Sequence, residues 1–163
     1  MPFSPIPKLC FTDVFALTPE ILAEHGVTLL LLDLDNTLSS YSEHMPTEEI
    51  LSWMKSLQDA GVSLYIISNN RSKSRIDNYA AACGIPSVHR AGKPHPRALH
   101  KAMQEMSKTP EETALMGDQI FTDALAANRA GALSIVVTPI EMKNLFFKFR
   151  YHIEQPFRRK GMR

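Results

Sequence analysis

Residues 29–38 read LLLLDLDNTL, and the change of character between Leu32 and Asp33 decides how the rest of the chain is read. Four consecutive leucines leave no polar side for solvent. They predict a strand covered on both faces, as in the middle of a parallel sheet. The run stops at two acids one residue apart, Asp33 and Asp35, followed by Thr37. Open parallel sheets bind ligands at the carboxyl ends of their strands, and packing gives no reason for a carboxylate pair there.

Outward from this stretch, strand-like and helix-like segments alternate. VTLLLLD (27–33), VSLYIIS (62–68), TALMG (113–117) and LSIVV (133–137) are apolar, partly β-branched runs of strand length, and PSVHR (86–90) is a weaker candidate. EEILSWMKSLQDAG carries Ile50, Leu51, Met54 and Leu57 on one helical stripe and stops at Gly61; SKSRIDNYAAACG stops at Gly84. PRALHKAMQEM opens on Pro96, Thr109 and Glu112 have the spacing of a capping box, and a further helix is expected over 121–130. Strands alternating with helices of this length predict βαβ units and an α/β fold, a three-layer parallel sheet of Rossmann-like type.

At 163 residues, with 44% hydrophobic and 21% charged content, the chain predicts one domain over 1–163: an N-terminal arm and helix (1–26, with Thr18 as N-cap and Pro19 in the first turn), a catalytic core (27–138), and a C-terminal helix and basic tail (139–163). Pro2, Pro5 and Pro7 near the start do not read as a secretion signal, and no run of about 18 apolar residues is present to span a membrane. Cys10 and Cys83 lack metal-ligand spacing with each other or with the six histidines, which predicts free thiols, no zinc site and a cytoplasmic setting. The net charge of +1 hides an asymmetry: residues 143–163 hold seven basic residues against Glu154, leaving a +6 end and a −5 remainder.

Four segments place polar residues after a predicted strand or at a loop tip: Asp33-Leu-Asp35-Asn-Thr37, Ser68-Asn-Asn70, Gly92-Lys93-Pro94 and Gly117-Asp118-Gln-Ile-Phe-Thr-Asp123. Any one alone is weak, since Ser68 could merely cap a helix, Lys93 could be a solvated charge, and Asp118 and Asp123 could cap the helix that follows. In this order they resemble the four motifs of the haloacid dehalogenase-like (HAD) superfamily, over about Val27 to Val137. The finer match of ISNN, AGKP and GDQIFTD is similar to the YqeG-like branch of its subfamily IIIA, to which enzymes that dephosphorylate phosphatidylglycerophosphate are related.

The resemblance implies a phosphomonoester hydrolase working through an aspartyl-phosphate. Asp33 would be the nucleophile and Asp35 the general acid and base; Ser68, the Asn69 N–H and Lys93 would hold the phosphoryl oxygens. Mg²⁺ would be bound by the Asp33 carboxylate, the Asp35 carbonyl and Asp118, with Asp123 behind them orienting Lys93 or a metal-bound water. Phosphatases of the superfamily carry the second acid, whereas its dehalogenases and ion pumps generally do not, so Asp35 points to phosphoester hydrolysis.

The intervals between motifs are filled by the expected helices and strands, leaving only Ser39–Pro46 for a small flap. This implies a capless enzyme with an open site, suited to phosphates on large or surface-bound molecules. Met142, Leu145, Phe146, Phe149 and Ile153 have i, i+3, i+4 spacing, so 141–154 is expected to be an amphipathic helix followed by a basic end. Two readings of it stand: the stripe packs on the chain's own sheet, or it makes peripheral contact with an anionic membrane carrying a lipid phosphate. Alternatives are a phosphoprotein or nucleic-acid phosphate as substrate, or a non-catalytic module bound to RNA or the ribosome. A phosphorelay receiver domain is disfavoured, since PSVHRAG offers no aspartate where that fold is phosphorylated.

Overall fold

The computed structural model describes residues 4–161; residues 1–3 and 162–163, the extremes of the expected arm and of the basic tail including Arg163, lie outside the described residues. Six strands, β1 (Leu9–Phe11), β2 (Leu29–Leu32), β3 (Ser63–Ile67), β4 (Ser87–Val88), β5 (Thr113–Gly117) and β6 (Leu133–Val137), form one parallel sheet in the order β1-β6-β5-β2-β3-β4. The four leucines are β2, fully buried, with Leu31 between Tyr65 and Leu115 in register. From β2 the chain builds β3 and β4 on one side, then crosses back to build β5 and β6 on the other. The carboxyl end of β2 is therefore the switch point of the sheet, the place where such folds bind ligands.

Alternation along each strand divides the core into two layers. Leu30, Leu32, Leu64, Ile66, Ala114, Met116, Ile135 and Val137 face α1 (Pro19–Glu24), α2 (Glu48–Asp59) and α3 (Lys73–Cys83). Leu29, Leu31, Tyr65, Ile67 and Leu115 face α4 (Arg97–Glu105) and α5 (Leu125–Ala130). Each fully buried leucine contributes about 2 kcal/mol. Thr18 caps α1 as expected and Thr47 caps α2, accepting from Ile21 N and Ile50 N, and Gly84 ends α3 in the left-handed conformation.

Three elements differ from the sequence reading. The N-terminal arm adds an edge strand, β1, too short at three residues to leave a periodic signal. The helix expected over 121–130 opens with one wide π turn, Ile120–Ala124, before α5. Asp123 lies in that turn and its Oδ2 accepts from Gln119 N at 3.0 Å, drawing the carboxylate inward; such bulges favour functional sites.

The third difference concerns the C-terminal helix, which runs over Leu145–Gly161 (α6) rather than 141–154. Its apolar stripe does not pack on the sheet: Leu145, Phe146 and Phe149 are 83%, 67% and 64% exposed, and Ile153 is exposed too. The buried side chains are Glu154 and Arg158. Arg158 donates to the carbonyls of Val137 (2.9 Å) and Asp118 and pairs with Glu154 at 3.1 Å, while Glu154 Oε1 accepts from Ile120 N. The helix is thus fastened by charge to backbone groups at the ends of β5 and β6, and its oily side is left outward.

Removing one partner of a buried pair leaves the other uncompensated. Arg158→Ala is therefore expected to lower the unfolding free energy in urea by about 3 kcal/mol, and Glu154→Leu combined with Arg158→Met to recover part of that loss.

Candidate active site

The four polar segments converge at the carboxyl ends of the central strands. Asp33 directly follows β2, Ser68 follows β3, Asp118 follows β5, and Lys93 reaches in from the loop after β4. Lys93 Nζ donates to Asp33 Oδ1 (2.8 Å), Asp123 Oδ1 (2.6 Å) and the carbonyl of Ile67 (2.9 Å), using all three of its protons. Thr37 Oγ1 donates to Asp33 Oδ2 at 3.0 Å. Carboxylate oxygens of Asp33, Asp118 and Asp123 lie within 4.8 Å of one another, and all three residues are buried. Gly117 has to be glycine for this arrangement: a Cβ there would fall 2.2 Å from the Asp123 carboxylate.

Asp33, Asp35, Tyr41, Ser68, Asn69, Asn70 and Gln119 line a cavity of about 230 Å³ at this point. Ser68 Oγ accepts from Asn70 N, and the Asn69 amide exchanges two hydrogen bonds with the Lys93 backbone (2.9 and 2.8 Å). Asp33, Asp35, Ser68, Asn69, Lys93, Asp118 and Asp123 are therefore part of one cluster. No histidine or cysteine joins it; the one possible metal-binding group among the described residues is the three aspartates.

Burial sets the electrostatics. It pushes Asp33 up to about 6 even though the Lys93 ammonium pulls the other way, and it raises Asp118 well above the usual carboxylate range, helped by the charges of Asp33 and Asp123. Burial would lower Lys93, but Asp123 and Asp33 outweigh it and hold the ammonium charged. Asp118 Oδ2 is buried with no hydrogen-bond partner, and its nearest cation is the Arg150 guanidinium at 3.6 Å. An orphaned buried carboxylate oxygen beside two further carboxylates fits a hard divalent cation.

A model of haloacid dehalogenase-like hydrolases matches residues 10–131. The chain belongs to that family. It is 31% identical to the probable phosphatase YqeG of Bacillus subtilis (strain 168), over 96% of this chain and 93% of that protein. Among solved structures, the 3-deoxy-D-manno-octulosonate 8-phosphate phosphatase of Moraxella catarrhalis, in complex with magnesium ion, phosphate ion and KDO, superposes with a TM-score of 0.58 at 21% identity, covering 77% of this chain and 76% of that one. An uncharacterized protein from Listeria monocytogenes serotype 4b also gives 0.58, at 16% identity, over 72% and 85% of the two chains. Among the described residues no cap is inserted between the elements of the HAD fold, and the Ser39–Pro46 segment is a short flap of turns.

Further residues surround the HAD site, and of these Arg75 and Tyr41 lie outside its motifs. Arg75, on the first turn of α3, donates from Nε and approaches from Nη2 to Asp35 Oδ1 (2.9 and 2.8 Å), while its guanidinium also reaches the flap carbonyls of Glu43 (2.6 Å) and Ser40 (2.9 Å). Asn70 Nδ2 donates to Asp35 Oδ2 at 2.7 Å. Tyr41 on the flap packs against Phe147 of α6, and Arg150 lies over that same ring. Burial, with the nearby charges of Asp118, Asp35 and Asp33, pushes the Tyr41 hydroxyl up to about 12. Asn36 is tied to the chain beyond β6, 105 residues on, by its amide, which pairs with both backbone groups of Glu141.

A carboxyl with a raised folded pKa binds its proton more tightly folded than unfolded, so Asp33 weakens the fold as pH climbs through about 6, and Asp118, raised by burial, acts in the same direction. A cation must displace those protons to bind. Mg²⁺ is accordingly expected to raise the melting temperature more above about pH 7 than near pH 5, and Asp118→Asn to abolish the shift. Arg75→Met, which cuts the tie between Asp35 and the flap, is expected to speed amide exchange over residues 40–43.

Proposed function

We propose that this HAD-family phosphatase is a Mg²⁺-dependent phosphomonoester hydrolase acting through an aspartyl-phosphate on Asp33. The observation that carries this is the placement of Asp33 in the lining of a cavity, its two oxygens held by Lys93 and Thr37, with a second acid, Asp35, lining the same cavity. A carboxylate so oriented has little reorganisation left to make before in-line attack.

In the first half-reaction an Asp33 oxygen bonds to phosphorus, the bond from phosphorus to the leaving oxygen breaks, and Asp35 gives that oxygen a proton. In the second, Asp35 takes a proton from water as the water attacks phosphorus, freeing Asp33 and inorganic phosphate. Asp35 Oδ1 accepts from Arg75 Nε and has the Nη2 of that guanidinium 2.8 Å away, whereas Oδ2 accepts from the neutral amide of Asn70. Oδ2 is then the oxygen that handles the proton. Ser68, the Asn69 N–H and the Lys93 ammonium bind the phosphoryl oxygens, Lys93 by exchanging its bond to Asp33 for one to the phosphoryl group as Asp33 gives up its charge, and Asp123 keeps Lys93 in place and charged. The Asp33 and Asp118 carboxylates with the Asp35 carbonyl would hold Mg²⁺, which offsets the charge gathered by phosphoryl group and carboxylates.

The substrate we favour is a phosphomonoester at an anionic lipid surface, such as phosphatidylglycerophosphate. The outward side of α6 supports this: Leu145, Phe146, Phe149 and Ile153 are exposed beside the exposed Lys148, Arg159 and Lys160, and the helix's sole acid, Glu154, is buried. An apolar stripe edged by cations and free of surface acids suits peripheral contact with anionic lipid, each cation adding about 1 kcal/mol. No helix of the described residues is long and apolar enough to cross a membrane.

The test is Mg²⁺-dependent phosphate release from an aryl phosphate, nucleotides, sugar phosphates and vesicles containing phosphatidylglycerophosphate. Release is expected to prefer the vesicles and to fall about a thousandfold or more in Asp33→Asn. Phe146→Ser with Phe149→Ser is expected to weaken vesicle flotation by about tenfold or more while leaving aryl-phosphate turnover in place. Preference for a nucleotide or phosphoprotein would instead give the basic end a different anionic partner.

A further inference from the structure

A second opening, about 470 Å³, adjoins the catalytic cavity and shares Asn69 with it; Arg71, Arg90 and Gly92 complete its lining. The two arginines come from different loops, those after β3 and β4, and meet because the loops continue the pairing of their strands. Arg90 N donates to the Asn70 carbonyl (3.0 Å) and Ala91 N to the Ser68 carbonyl (2.9 Å), while the Asn69 amide grips the Lys93 backbone from both sides. The arginine cleft is therefore fixed to Ser68 and Lys93, the residues assigned to the phosphoryl group.

The charges in this cleft differ from those of the arginines beside Asp35, Asp118 and Glu154. Arg75, Arg150 and Arg158 around the site are each committed to a carboxylate. Arg71 and Arg90 are exposed, no acid lines their cleft, and among the described residues neither guanidinium has a carboxylate partner. Two unpaired guanidinium forks a short step from a phosphate pocket match the geometry of a second phosphate or carboxylate, which each fork can bind through two parallel N–H donors. No apolar side chain lines the opening, so it does not suit a hydrophobic leaving group.

We propose that this cleft binds a second anionic group on the leaving-group side of the substrate, so that the preferred substrates are phosphomonoesters carrying another phosphate or carboxylate. The inference rests on the phosphomonoesterase reading of the adjoining cavity. A small soluble bisphosphate and a lipid headgroup with a phosphodiester beside its phosphomonoester share this chemistry.

The experiment uses the full chain as Asp33→Asn with Mg²⁺, which binds without turning over. Its calorimetric affinities for propane- to hexanediol bisphosphates are compared with those for the matching alkyl monophosphates. In a parallel arm its flotation with vesicles containing phosphatidylglycerophosphate is compared with that of vesicles containing phosphatidic acid. At least one bis-anionic probe is expected to bind roughly tenfold tighter than its partner, above the about twofold advantage of having two equal ends. Adding Arg71→Gln and Arg90→Gln, both exposed and neither needed for packing, should return the ratio to that baseline. An arginine-dependent preference in the soluble arm assigns a free bis-anion, and one in the vesicle arm alone assigns a lipid headgroup. No preference in either arm, or a preference that survives the double substitution, overturns the proposal. Wild-type protein that releases no phosphate from any of these probes, while Asp33→Asn keeps the preference, would remove the hydrolase reading and leave the cleft standing.

Discussion

A single buried ammonium holds the site together. Lys93 Nζ satisfies Asp33, Asp123 and the last carbonyl of β3 at once, in a region where burial would otherwise force carboxylates to take up protons. Without it, the parallel sheet would bring together at its switch point a cluster of acids that could not stay charged. With it, and with the Arg150 guanidinium 3.6 Å from Asp118, the three clustered carboxylates still outnumber the cations, and Asp118 keeps an oxygen without a hydrogen bond. That shortfall is what makes the site receptive to a divalent cation and to the charge redistribution of phosphoryl transfer.

Much of this arrangement was legible in the sequence because it follows from simple rules. A run of four leucines can be satisfied only between two layers, and Asp33 next in line must then emerge at the sheet's end. Ser68, Lys93 and Asp118 follow the same logic, each standing after a predicted strand. The π turn was not legible: Asp123 draws it inward through Gln119 N, and that tertiary pull has no counterpart in helical periodicity. Nor was Arg75, since nothing about an arginine on the first turn of a helix says that it will reach across to Asp35 and the flap.

The C-terminal helix shows where periodicity misleads. Its apolar stripe identifies an amphipathic helix but not which side faces the protein. Arg150, Glu154 and Arg158, spaced by four, form a second stripe of alternating charge, and carbonyls left at the ends of β5 and β6 select it. The basic end of the chain is thereby divided into two populations. Arg150 and Arg158 serve the site and its supporting loop, while Lys148, Arg159 and Lys160 remain on the outside with the exposed phenylalanines.

The central claim is that Asp33 becomes covalently phosphorylated. The most direct measurement is a rapid acid quench during turnover of a phosphomonoester, followed by borohydride reduction and peptide mass spectrometry, because an acyl phosphate is reduced to the alcohol whereas a free carboxylate is not. Conversion of Asp33 to homoserine, dependent on substrate and Mg²⁺, is the predicted result. Phosphate release with Asp33 unmodified, or with the label on another carboxylate, would contradict it.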